Sequence, residues 1–179
     1  MSLGLFVTGN ARTFPSAPEW AAAVKREGFD VDIDETFDSR QSSGFRPCPD
    51  SDCGFEYTFG TLSGEDLEEF DIEPRLITDI LKHDSIAGFH YKTDCDLVVV
   101  KAASAVLAKM TGGFVLESES GAVLNSSQAL AWARGQLELQ ATTRAEAVAR
   151  RQKLSPITTV KLALAIALAG YWLLRWVKG

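Results

Sequence analysis

The chain predicts an α+β domain, a mostly antiparallel sheet with helices packed on one face, followed by a C-terminal transmembrane helix. Three observations carry this reading. Short apolar or alternating runs end in turn residues, as strands in hairpins do. Capped stretches at helical spacing separate those runs. The last 25 residues, SPITTVKLALAIALAGYWLLRWVKG, are apolar and flanked by bases. The charge divides the same way. Residues 1–140 hold 23 acidic and 11 basic side chains, a net −12, whereas residues 141–179 hold one acid and seven bases. The expected organisation is an acidic cytoplasmic head over 1–140, a basic helical linker over 141–156 and a membrane anchor over 157–177.

LGLFVTG (3–9) is an apolar run closed by Gly-Asn, a strand running into a turn. Ser16 and Glu19 form the Ser-x-x-Glu pattern of a capping box, with Pro18 in the first turn, so a helix runs from there to Gly28. VDIDETF (31–37) alternates apolar and acidic and predicts a half-buried strand. Residues 39–54, rich in Ser, Pro, Asp and Gly, read as a loop. CGFEYTFG (53–60) alternates aromatic and polar residues, a strand pattern. An acidic segment follows over 61–73, and Pro74 opens a helix through 75–82.

SIAGFHYKT (85–93) is the next strand. Asp94 or Asp96 caps a helix over LVVVKAASAVLAKMTGG, stopped by Gly112-Gly113. Residues 113–125 form a hairpin, and Ser126 or Ser127 caps a last helix that runs toward Ser155-Pro156. The expected order is β-α-β-β-α-β-α-β-β-α.

Ile157 to Leu174 is 18 residues with a single charge, Lys161. That is about 27 Å of helix, close to the thickness of a bilayer core. A core helix or an interfacial helix would need a polar face, and no charge occurs between Leu162 and Leu174. Lys161 can snorkel at one end, and Tyr171, Trp172 and Trp176 suit the aromatic belt at the other. More bases lie on the head side of the span than beyond it, so the head is expected in the cytoplasm and the span in a bacterial inner membrane. The N-terminus has no basic n-region and no long apolar run, so no secretory signal is expected.

The chemistry is sparse. Phosphate-loop, dinucleotide and hydrolase-elbow motifs do not occur. The odd count of cysteines, Cys48, Cys53 and Cys95, predicts reduced thiols. Only two histidines exist, His83 and His90, at no metal-ligand spacing, so neither a metal nor another cofactor is expected. A head at −12 repels nucleic acid but suits a basic protein partner. The candidate partner-binding residues are the acids Glu65, Asp66, Glu68, Glu69, Asp71 and Glu73, with Phe45, Arg46, Asp50 and Asp52 of the 39–54 loop. Phe45 is a large apolar residue among loop residues, which is the composition of an interface anchor.

Phe37-Asp38, then Gly44-Phe45-Arg46-Pro47-Cys48, then Gly54-Phe55-Glu56-Tyr57 resemble bacterial immunity proteins of polymorphic-toxin and type VI secretion loci. Thr111 to Leu116 and Ser127 to Ala133 are similar to that group's closing hairpin and helix, so the resemblance spans roughly residues 30–135. It implies a protein that is not an enzyme and that blocks a cognate secreted toxin by binding it. An acidic head points to a basic nuclease as the toxin, the span to one that acts at the membrane. The C-terminal span departs from the usual soluble form. Two rival expectations stand beside this one: a tail-anchored adaptor recruiting a basic protein to the inner membrane, and a small enzyme using Cys48 or Cys53 with His83 or His90.

Overall fold

The fold is organised around an antiparallel sheet whose strands run in the order β2-β3-β4-β1-β5-β6. The computed structural model describes residues 4–41, 43–48, 53–68, 70, 72–143 and 146. The strands are β1 (Gly4–Gly9), β2 (Gly44–Pro47), β3 (Gly54–Thr61), β4 (Ser85–His90), β5 (Phe114–Glu117) and β6 (Val123–Asn125). The helices are α1 (Ala17–Arg26), α2 (Pro74–Ile80), α3 (Asp94–Thr111) and α4, helical over 126–143. The chain divides into two compact units, Met1–Leu137 and Glu138–Gly179. The expected span at 157–177 and most of the expected linker lie outside the described residues. Among the described residues, no helix is long and apolar enough to cross a membrane.

The main core lies on one face of the sheet, under α1, α3 and the start of α4. Leu5, Val7, Phe55, Tyr57, Ala87, Phe89 and Val115 project into it. Trp20 of α1 sits at its centre, fully buried, with Phe37, Phe55, Tyr57 and Phe89 around it at centroid distances of 5.7–6.4 Å. Its indole N–H donates to the Ala103 carbonyl at 3.0 Å, so the ring is buried with its polar atom satisfied.

The other face is also covered in part, which corrects the expectation of helices on one face only. Phe6, Ile86, Phe114 and Leu116 form a second cluster with Leu62, Leu67, Phe70, Ile72, Leu76, Ile77 and Ile80. Successive strand residues point to opposite faces, so Phe6 faces away from Leu5 and Val7. The acidic segment and α2 therefore form a cover. Their apolar residues recur every few positions and turn inward while Glu65, Asp66, Glu68 and Glu73 stay outside. Central strands buried on both sides read as continuous apolar runs, and β1 does.

Two further expectations change. Residues 31–37 are not a strand. The Asp34 carboxylate accepts hydrogen bonds from the Thr36 N–H (2.9 Å) and hydroxyl (2.6 Å), which gives the backbone a turn in place of a ladder. Val31, Ile33 and Phe37 are buried all the same. The second strand is instead β2, inside the segment read as a loop, where Phe45 pairs with Glu56 and Arg46 with Phe55. The element order survives with one strand relocated.

The caps also differ from expectation. Thr93 is the N-cap of α3, accepting from the Asp96 N–H at 3.1 Å, while the Asp96 carboxylate accepts from the Thr93 N–H at 3.0 Å. At α4 the cap is Asn125, whose side chain accepts from the N–H groups of Ser127 and Gln128. The expected capping box at α1 is present. The C-cap of α3 is Gly112 at φ +69°, a left-handed conformation that favours glycine. A Cβ on Gly113 would lie 1.6 Å from the Thr8 carbonyl oxygen, so the chain turns into β5 only by passing bare backbone over β1.

Candidate partner-binding surface

The second face of the sheet is covered over β1 and β5 but open over β2, β3 and the end of β4. Directly paired strand residues share a face, so register alone maps this area. Phe45, Glu56 and His90 form one row, and Thr58, Gly88 and Phe6 the next. Gly60, Ile86 and Thr8 form the third.

Phe45 is 64% exposed, the largest value among the big apolar side chains of the described residues. Its ring lies along the bare backbone of Gly54: a Cβ there would fall 2.3 Å from the ring's Cζ. Glu56 beside it is exposed. About 14 Å further along β3, at ~3.4 Å per residue, the third row meets the acidic cover. There a groove of about 420 Å³ opens between the sheet and the cover. Phe6, Thr58, Gly60, Ile86 and Gly88 are its floor, and Glu65, Asp66 and Phe70 its wall. Phe6 and Phe70 meet edge to face at 5.9 Å. The Asp66 carboxylate is fixed by the Ser63 N–H and hydroxyl, each at 2.7 Å.

The structure thus brings Phe45, Glu65 and Asp66 of the expected set onto one sheet face. Glu68 and Glu73 are exposed on the same cover. Arg46 belongs elsewhere. It points to the main-core side, where its guanidinium stacks on the Phe37 ring at 4.4 Å and its Nη2 donates to the Ser43 carbonyl at 3.5 Å. Its Nε is buried with no hydrogen-bond partner among the described residues. Pairing in β2 puts neighbours Phe45 and Arg46 on opposite faces, so they do not form one patch. Asp50, Asp52, Glu69 and Asp71 lie outside the described residues.

Glu56, Thr58 and Gly60 belong to this surface and were not singled out from the sequence; His90, expected only in the enzyme reading, belongs to it too. The signal was there in part. Polar residues alternate with Phe55, Tyr57 and Phe59, and their face is the one an open sheet leaves to solvent.

Of the groups expected to serve a small enzyme, His83 precedes β4 and His90 ends it. His83 pairs through Nδ1 with the buried Thr8 hydroxyl at 3.1 Å, and its burial lowers its pKa below the usual value, partly countered by Asp84. His90 lies edge-on to Phe6, its Nδ1 buried and unpartnered among the described residues. The expectation of reduced thiols is corrected for two cysteines: Cys53 and Cys95 form a disulfide across 42 residues, with their Cα atoms 5.8 Å apart. An odd count permits one bridge, and what decides is that β3 begins beside the first turn of α3. Cys48 is buried, and its N–H donates to the Cys53 carbonyl at 2.9 Å. Among the described residues, no group of three His, Cys, Asp or Glu is placed to hold a metal ion.

Comparison with known protein families, with curated proteins and with solved structures returned no match.

Proposed function

We propose that this chain is an immunity protein, which protects the producing bacterium by binding a cognate secreted toxin and occluding it. One observation carries the reading: an exposed aromatic anchor, Phe45, with Glu56 beside it, lies on the uncovered part of a sheet face that Glu65 and Asp66 of the acidic cover border. A large apolar side chain supplies affinity once desolvated, and surrounding charge steers a basic partner and rejects acidic ones. The net −12 of residues 1–140 supports a basic toxin, with a nuclease as the class whose own substrate is polyanionic. On this reading, binding does the work, no reaction is catalysed, and the protein contacts no nucleic acid itself. The 157–177 segment holds the head at the inner membrane, facing the cytoplasm.

The test is co-expression with the toxin encoded by the neighbouring reading frame. Wild-type chain should restore growth. Phe45→Ala should weaken toxin binding by about 2 kcal/mol, some thirty-fold in Kd, while leaving the melting temperature unchanged. If no adjacent toxin is neutralised, the proposal fails. Deleting residues 155–179 should leave protection against a cytoplasmic nuclease intact and abolish protection against a membrane-acting toxin.

A second reading has its own support in the charge contrast between head and tail: an adaptor that recruits a basic protein to the inner membrane. A pulldown that returns a housekeeping complex, from a locus with no toxin gene, would favour it.

A further inference from the structure

We infer that the groove between β3–β4 and the acidic cover is a socket for one arginine side chain of the partner protein. The inference deepens the proposed function and rests on its reading of this face as a protein-binding surface.

The chemistry is mixed in the way an arginine needs. Within a lining that is otherwise half polar, Phe6, Ile86 and Phe70 can cover an aliphatic stem. The Phe6 and Phe70 rings offer faces and edges to a guanidinium, which stacks on aromatics more readily than an ammonium does. Glu65 and Asp66 stand at the rim, and Asp66 is already held by Ser63, so it needs no reordering to accept a charge. Both Ser63 bonds fall on Asp66 Oδ2, which leaves Oδ1 to accept from a guanidinium. The volume, about 420 Å³, is near the lower end of the 300–1,000 Å³ usual for ligand sites. It holds a long side chain and its flanking backbone.

Charge complementarity selects the occupant. From Pro47 to Pro74 the sequence has nine Asp/Glu and no Lys or Arg. Among the described residues, no base lies within ion-pair distance of Glu65 or Asp66. The acidic rim is thus left open to a cation from outside this stretch, and charge complementarity selects a partner's arginine as the occupant.

The glycine floor supplies the control. A Cβ on Gly60 would meet no atom within 4 Å, so a side chain there enters the groove and not the fold. The experiment is an NMR titration of the ¹⁵N-labelled full chain in detergent micelles with Ac-Gly-Arg-Gly-NH₂. Its neutral isostere Ac-Gly-citrulline-Gly-NH₂ and the apolar Ac-Gly-norleucine-Gly-NH₂ are the comparisons. The arginine peptide should shift the Thr58, Gly60, Gly88 and Phe70 amides saturably, with the citrulline peptide about ten-fold weaker. Glu65→Gln should weaken the arginine peptide only, and Gly60→Trp should abolish its binding with the rest of the spectrum unchanged. Equal affinity for arginine and citrulline, tighter binding of norleucine, or indifference to Gly60→Trp would overturn the socket. Failure of the wild-type chain to neutralise a toxin would sink the immunity reading and leave this titration untouched.

Discussion

Asp96 shows how much one carboxylate can join. It caps α3 with Thr93, and its Oδ1 accepts from the Gly54 N–H at 2.9 Å, pinning the start of β3 to the helix beside the Cys53–Cys95 bridge. Burial raises its pKa, but the bonds from Gly54, Thr93 and Lys92 outweigh it and leave the carboxyl below its ordinary value. Asp96 therefore stabilises the fold fully above the unfolded pKa of about 3.9, and this contribution is lost as pH falls through the lower folded value. Asp96→Asn should cost roughly 1.5–3 kcal/mol at neutral pH and flatten the acid limb of a urea-midpoint profile. His83 acts at milder pH. Its folded pKa lies below the unfolded value, about 6.5, so the unfolded chain binds the proton more readily. Stability should be full above that pH and decline below it. A comparison of urea midpoints at pH 7.5 and 5.5 should show a larger loss for wild type than for His83→Gln.

At the scale of elements, the acidic cover is the least expected part of the fold. Its carboxylates make it look like a solvated loop, and its function as a roof comes from Leu67, Phe70 and Ile72 between them, continued by Ile80 of α2. Ile80 is fully buried in the second cluster and absent from the main core. Ile80→Ala should cost roughly 2–5 kcal/mol and speed hydrogen exchange in β5 before it affects the Trp20 region. Most elements were legible because their signals are local: a capping box at Ser16, alternation in β3, a glycine stop after α3. The misplaced strand was not. Alternation in 31–37 records burial, not pairing, and Asp34 diverts that backbone into a turn. β2 has only four residues, two of them Gly and Pro, and it becomes a strand because β3 offers it an edge. The candidate site was legible to the same degree. Phe45, Glu65 and Asp66 stood out by composition, whereas Arg46 was grouped with them by adjacency, and a strand sends adjacent residues to opposite faces.

For the whole molecule, the Cys53–Cys95 bridge sets a condition on where the head works. Closing a loop of this separation stabilises the chain by about 4 kcal/mol on the chain-entropy account. Urea unfolding of the full chain with and without reductant should differ by about that amount. A head held in a reducing cytoplasm would work without it, so alkylation of thiols in intact cells, read by mass spectrometry, links stability to placement. Composition and order were enough to establish an acidic α+β domain, all of its elements but β2 and the apolar, basic character of the tail, because periodicity, caps and net charge are properties of neighbouring residues. Which face stays open, which cysteines join, and that Phe45 shares a surface with Glu65 and Asp66 came from the fold. Those facts depend on strand register and on contacts between residues far apart in the chain, and no local pattern encodes them.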